Sequence, residues 1–208
     1  MTLADKFTSI RLVLAPVFFI VYLLPRFFPP IFAAPPSSAE EIFLFIGAPW
    51  TVPVLWILFV GSQITDMLDG MIARKQGEVS DFGKLYDPFA DTLTQVTYFL
   101  CFVIDGILQP LLFLLVLYRE FSILFVRNLM LKKGITMGAR MGGKIKTVTY
   151  ILAGALALMA SSVLRLGIGG GFYLGLTIAA KVVFICSVVI AIISLFDYFL
   201  VYAKTSKT

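Results

Sequence analysis

The chain has no histidine, and its two cysteines, Cys101 and Cys186, lie in separate apolar stretches with no C-x-x-C spacing. The first absence removes imidazole both as a proton shuttle and as the usual zinc ligand. The second leaves the cysteines as small core hydrophobes and argues against a disulfide or a thiolate-bound metal. Charge is scarce too. Only 14% of the 208 residues are Asp, Glu, Lys or Arg, against 60% hydrophobic. That balance lies far outside soluble averages and reads as an all-α integral membrane protein. The net charge of +5 has a membrane explanation, because basic residues gather on one side of a polytopic protein and favour anionic lipid surfaces. No nucleic-acid partner is implied.

Six apolar runs are long enough to cross a bilayer, roughly 8–25, 50–69, 87–105, 110–130, 145–165 and 172–202. They predict six transmembrane helices in a single polytopic membrane domain over 1–208. The first run continues as a span through Leu12 to Leu24, with no small-residue cleavage site, so it is expected to stay. Pro25, Pro29, Pro30, Pro35 and Pro36 predict a Pro-rich extracytoplasmic loop over about 25–49, since proline blocks helix continuation. Asp105-Gly106 and Gly167–Gly171 mark two further turns. The last run is longer than a crossing requires. In this frame Lys6, Arg74, Lys75, Lys84, Lys132, Lys133, Arg140, Lys144, Lys146, Lys204 and Lys207 fall on one side, and Arg26 and Arg165 on the other. The bias places both termini in the cytoplasm and the protein in the cell (inner) membrane.

Against this apolar background, Asp66, Asp69, Asp87 and Asp91 stand out. Asp66 and Asp69 are spaced i,i+3 and Asp87 and Asp91 i,i+4, so each pair shares a helix face. Carboxylates in or beside membrane helices are costly unless partnered, and four at one point need positive charge to stay ionised. Oxygen-only ligands suit a hard cation, magnesium or manganese. The cluster would lie at the cytoplasmic ends of the second and third helices, open to a soluble nucleotide and, from the side, to lipid. Arg119 and Glu120 fall mid-span in the fourth helix, with Arg127 nearer the cytoplasm, which predicts that this helix faces a polar interior. Taken alone, Gly70 would read as a helix-end glycine and Ala73 as packing. Lys181, lone in the sixth run, reads as a snorkelling or internally paired lysine.

The run Asp66-x2-Asp69-Gly70-x2-Ala73-Arg74-x8-Gly83-x3-Asp87-x3-Asp91 resembles, at every fixed position, the signature of the CDP-alcohol phosphotransferases. The resemblance implies a six-helix membrane enzyme, usually a homodimer. Such an enzyme uses two divalent metals to move a substituted phosphoryl group from a CDP-linked donor to an alcohol, releasing CMP. It further implies that Asp66, Asp69, Asp87 and Asp91 surround the metals and that Asp91 is the catalytic base for the attacking hydroxyl. Asp66, Gly70, Ala73, Arg74 and Gly83 would bind the CDP donor. The small residues would let cytidine approach the backbone, and Arg74 would neutralise a donor phosphate.

Within the family, Arg119-Glu120, Arg127, Lys132-Lys133-Gly134-Ile135 and Gly143-Lys144-Ile145-Lys146-Thr147-Val148 resemble the phosphatidylglycerophosphate synthase branch. That implies CDP-diacylglycerol as donor and glycerol 3-phosphate as acceptor. Arg119, Arg140, Lys144 and Lys146 are then the candidates for the acceptor phosphate, with Arg127 a fifth. Two features depart from the branch. Ala4-Asp5-x-x-Thr8-x-x-Arg11 keeps only the second half of its opening Pro-Asn-x-x-Thr-x-x-Arg, and Tyr150 stands where it usually has glutamine. The alternatives within the family are CDP-choline or CDP-ethanolamine with diacylglycerol, or an inositol-phosphate or serine acceptor. Outside it, carboxylates could line the path of a small divalent-cation or lipid transporter, although no internal repeat or pair of broken helices is visible.

Overall fold

The computed structural model describes residues 3–27, 49–76, 81–132, 134 and 141–205. These form six helices and no strand. They are α1 (Leu3–Phe27), α2 (Thr51–Gln76), α3 (Asp81–Ile104), α4 (Pro110–Lys132), α5 (Met141–Arg165) and α6 (Gly171–Thr205). Four of them, α1, α2, α5 and α6, are long and apolar enough to cross a membrane by composition alone. The other two, α3 and α4, carry Asp87 and Asp91, and Arg119, Glu120 and Arg127.

Each helix turns one narrow stripe inward. On α1 the buried seam runs through Thr8, Arg11, Ala15, Phe18, Tyr22 and Pro25, alternating three and four residues apart, with Leu23 buried beside it. That spacing is the signature of a helix packed along one seam. The exposed positions between them, Ile10, Val13, Val17 and Ile20, are as apolar as the seam, as expected of a face turned to lipid. On α6 the seam is Ala180, Phe184, Ser187, Ala191, Ser194 and Tyr198. α1 packs against α2 and α3, α6 against α5 and α4, and α3 joins the two groups. An aromatic core fills the middle. Phe18 meets Tyr98 at a ring-centroid distance of 4.5 Å, and Phe99 meets Phe184 at 4.8 Å and Tyr150 at 5.3 Å. Gly154 on α5 belongs to this packing, since a Cβ there would lie 3.3 Å from the Phe59 ring.

The helices outrun the apolar runs, and at three places this bears on the residues singled out above. Pro25 lies inside α1, which continues to Phe27. Proline at 25 supplies no N–H to the Val21 carbonyl one turn earlier, near a helix end where few bonds remain to be lost, and Arg165 donates to the neighbouring Tyr22 carbonyl at 2.9 Å. The remainder of the expected Pro-rich loop, through residue 48, lies outside the described residues. α2 runs on to Gln76, so Gly70 and Ala73 stand within a helix and Gly70 does not end one. α3 begins at Asp81, putting Gly83 in its first turn. Both expected turns are present, and Gly106, Gly167 and Gly170 take φ of 71°, 72° and 82°, the left-handed region open to glycine.

One end of the bundle carries a buried polar knot. Arg165 donates to Ser161 Oγ at 3.2 Å and Thr51 Oγ1 at 3.1 Å, and its guanidinium lies 4.4 Å from the centroid of the Tyr22 ring. The Tyr22 hydroxyl bonds to Asp105 and reaches Ser161 Oγ at 2.9 Å. Sequence reasoning takes Arg165 for a charge marking the outer side. The fold uses it to tie α1, α2 and α5 together.

Candidate active site

The opposite end holds the aspartates. Asp66 continues the inward stripe of α2 that begins Thr51, Leu55, Phe59, Ser62. Asp87 and Asp91 lie one turn apart on α3, in line with buried Thr94 and Tyr98. Arg11, from the α1 seam, enters between them. Its Nη1 pairs with Asp66 and stands 3.7 Å from Asp91, while Nη2 donates to Asp87 at 2.6 Å. Thr8, one turn earlier, reaches Asp87 at 3.4 Å. Burial is unequal within the group. The Arg11 side chain is 1% exposed, whereas those of Asp66, Asp87 and Asp91 are 37%, 49% and 45% exposed. The cation is sealed behind the carboxylates, and each carboxylate keeps an open side on which it can take a ligand.

Among the described residues three carboxylates share one guanidinium, an excess of negative charge beside a low-dielectric interior that favours a further cation. The donor set is all oxygen, which suits a hard divalent ion. Among the described residues no three ligands converge unaided on a single point; the carboxylates gather round Arg11. The side chains of Asp69, Gly70, Ala73 and Arg74 lie outside the described ones, although the α2 backbone that carries them is described.

Beside the cluster opens a cavity of about 260 Å³ between α3, α4, α5 and the end of α6. Asp87 and Asp91 form one wall, and Arg119, Glu120, Arg127, Lys146 and Tyr198 stand on the others. Two of these cations are already engaged. Arg119 donates through Nη1 to both Glu120 oxygens at 2.9 Å, through Nε to the Ala191 carbonyl at 3.2 Å and through Nη2 to Ser194 at 3.3 Å. Lys146 donates to the same carboxylate at 3.0 Å and lies 4.8 Å from the centroid of the Tyr150 ring. Tyr150 is fully buried in the aromatic core. Arg140 lies outside the described residues, as does the side chain of Lys144, in the first turn of α5.

Two site residues escape sequence reasoning. Tyr198 sits in an apolar run and carries no mark in the sequence. Arg11 carries two, its place in the retained Thr8-x-x-Arg11 of the opening run and a lone charge in the first apolar span, which calls for an internal partner.

The sequence model for CDP-alcohol phosphatidyltransferase matches residues 1–194. The chain belongs to the CDP-alcohol phosphatidyltransferase family. It is therefore a transferase, of a family that generally uses a divalent metal. Similar proteins include a CDP-diacylglycerol–glycerol-3-phosphate 3-phosphatidyltransferase of Treponema pallidum (strain Nichols). It is 36% identical over 95% of this chain and 88% of its own length. Proteins of the same name from Bacillus subtilis (strain 168) and Rickettsia felis are each 31% identical. The first match spans 76% of both chains, and the second 69% of this chain and 75% of the relative.

Proposed function

We propose that the chain transfers the phosphatidyl group of CDP-diacylglycerol to glycerol 3-phosphate, giving phosphatidylglycerophosphate and CMP. The observation that carries this reading is the shared cavity. Asp91, the candidate base, and the cations Arg119, Arg127 and Lys146 face one space, so an alcohol bearing a phosphate can meet both. The relatives' names support the same pair of substrates.

In this reading Asp66, Asp69, Asp87 and Asp91 hold two magnesium or manganese ions. When bound, these ions polarise the donor pyrophosphate and stabilise the departing CMP. Asp91 accepts the proton of the acceptor's primary hydroxyl as its oxygen bonds to the phosphatidyl phosphorus. The bond from that phosphorus to the oxygen leaving with CMP breaks. Lys146 and Arg127 bind the acceptor phosphate, with Arg119 behind them and Arg140 and Lys144 as further candidates. Gly70, Ala73, Arg74 and Gly83 serve the donor. A choline donor finds less support. A quaternary ammonium calls for open aromatic faces, while Tyr150 is buried and already faces Lys146.

The protein in this reading is one domain over 1–208 in the cell membrane, a homodimer with both termini and the aspartates on the cytoplasmic side. Lys6, Lys132 and Lys146 all belong to the aspartate end of the bundle, which is the arrangement the positive-inside rule favours. The test is a reconstituted assay with magnesium, pairing each CDP-linked donor with each acceptor and following CMP release and the lipid made. Phosphatidylglycerophosphate is the expected product. Phosphatidylcholine from CDP-choline and diacylglycerol, with no phosphatidylglycerophosphate, would overturn the substrate assignment.

A further inference from the structure

We propose that Arg11 is the resident counter-cation of the aspartate cluster. It gathers Asp66, Asp87 and Asp91 when no metal is bound, and a divalent ion must displace it from Asp66 and Asp87. The proposal rests on the metal-binding reading above and concerns how this chain's own residues prepare for the ion.

Three observations carry it. Arg11 is among the largest fully buried side chains in the molecule, and a buried guanidinium persists only where anions compensate it. Its contacts span helices, pairing with Asp66 on α2 and with Asp87 and Asp91 on α3. One side chain therefore sets the separation of the carboxylates that would have to close on a metal. The three carboxylates, moreover, lie about the guanidinium itself, at its Nη1 and Nη2. A planar fork with several donors can bridge carboxylates in this way, and an ammonium cannot do so with the same geometry.

Two opposing consequences follow. Without Arg11 the carboxylates repel one another in the absence of metal, and the helix ends loosen. Once an ion is supplied, the site has lost a positive neighbour a few ångströms away and holds the ion more tightly. A residue that merely packs against α2 and α3 would do only the first, and equally with or without metal.

The experiment uses the full chain in detergent micelles, with no substrate. Manganese binding is followed by electron paramagnetic resonance of the free ion, and unfolding by a thermal ramp, in chelator and in saturating manganese. For Arg11→Gln we expect manganese to bind roughly 10-fold tighter or more than in the wild type, as loss of a like charge at this range implies. We also expect a melting temperature lowered in chelator and largely restored by manganese. Arg11→Lys keeps the charge without the fork and is expected to tighten binding several-fold; it decides the matter if Arg11→Gln does not fold. Unchanged or weaker manganese binding in the folded variants, or a loss of melting temperature the same with and without manganese, overturns the proposal. A wild-type protein that takes up no manganese overturns the metal reading itself and this proposal with it.

Discussion

Lys146 on α5 donates to Glu120 on α4 at 3.0 Å, and the same carboxylate receives both 2.9 Å bonds from Arg119. Glu120 therefore holds two cations against the cavity wall. Arg119, 4% exposed, is compensated chiefly by this neighbour. Removing the carboxylate leaves a buried charge, which costs about 3–5 kcal/mol when one partner of such a pair is lost. We expect Glu120→Ala to fall within that range in denaturant unfolding. The double variant Arg119→Met/Glu120→Leu should be less destabilised than Glu120→Ala alone. A Glu120→Ala protein as stable as the wild type would mean that the pair contributes nothing to the fold.

Asp91 stands apart from Asp66 and Asp87 in its geometry. Of the three it lies farthest from Arg11, at 3.7 Å, and it faces the cavity together with Asp87. A positioned base is worth roughly 100-fold to 10,000-fold in rate. Asp91→Asn is accordingly expected to lose turnover by that factor while the CDP-linked donor still binds. Asp66→Asn and Asp69→Asn should act mainly by weakening metal binding. Excess chelator should stop the wild type. Undiminished turnover in chelator, or in Asp91→Asn, would remove the mechanism.

Much of this was legible before the fold. The six runs could be read because spans of about 20 apolar residues have few other uses, and Asp66, Asp87 and Asp91 could be read because charge in such a chain needs a reason. What could not be read depends on packing across distant segments. Arg11 and Asp66 are 55 positions apart, and nothing in either local sequence says that the α1 seam delivers one to the other. Glu120 looked like a polar mark on a helix face, yet its capture of both Arg119 and Lys146 follows from how α5 lies on α4. The sequence places Arg165 only on the side of the membrane opposite the basic cluster, because it ends a span; Tyr22 and Thr51 come to it from two other helices.

Orientation can be tested at two exposed positions. Gln109 lies between α3 and α4, and Lys132 ends α4 at the other end of the bundle. In a background lacking Cys101 and Cys186, Gln109→Cys is expected to react with a membrane-impermeant thiol reagent in intact cells. Lys132→Cys should react only once the inner face is opened. The reverse pattern would invert the topology.

The acceptor phosphate gives the most discriminating kinetic test, and the structure changes which residue should carry it. Arg119 is bonded to Glu120, Ala191 and Ser194 at once, so its removal disturbs packing as well as binding. Lys146 is the cleaner probe. It borders the cavity at the start of α5 and has a single anionic partner among the contacts described. A phosphate arriving in the cavity competes with Glu120 for that ammonium, and a hydrogen bond to a charged group is worth about 1.5–3 kcal/mol. Lys146→Ala is therefore expected to raise the KM for glycerol 3-phosphate by roughly 10-fold or more, with a much smaller change in the KM for the CDP-linked donor. Arg127→Ala, on the same cavity, should act in the same direction. Equal effects on both substrates would point to a general loss of structure. An unchanged acceptor KM in a folded Lys146→Ala protein would place the phosphate elsewhere in the site.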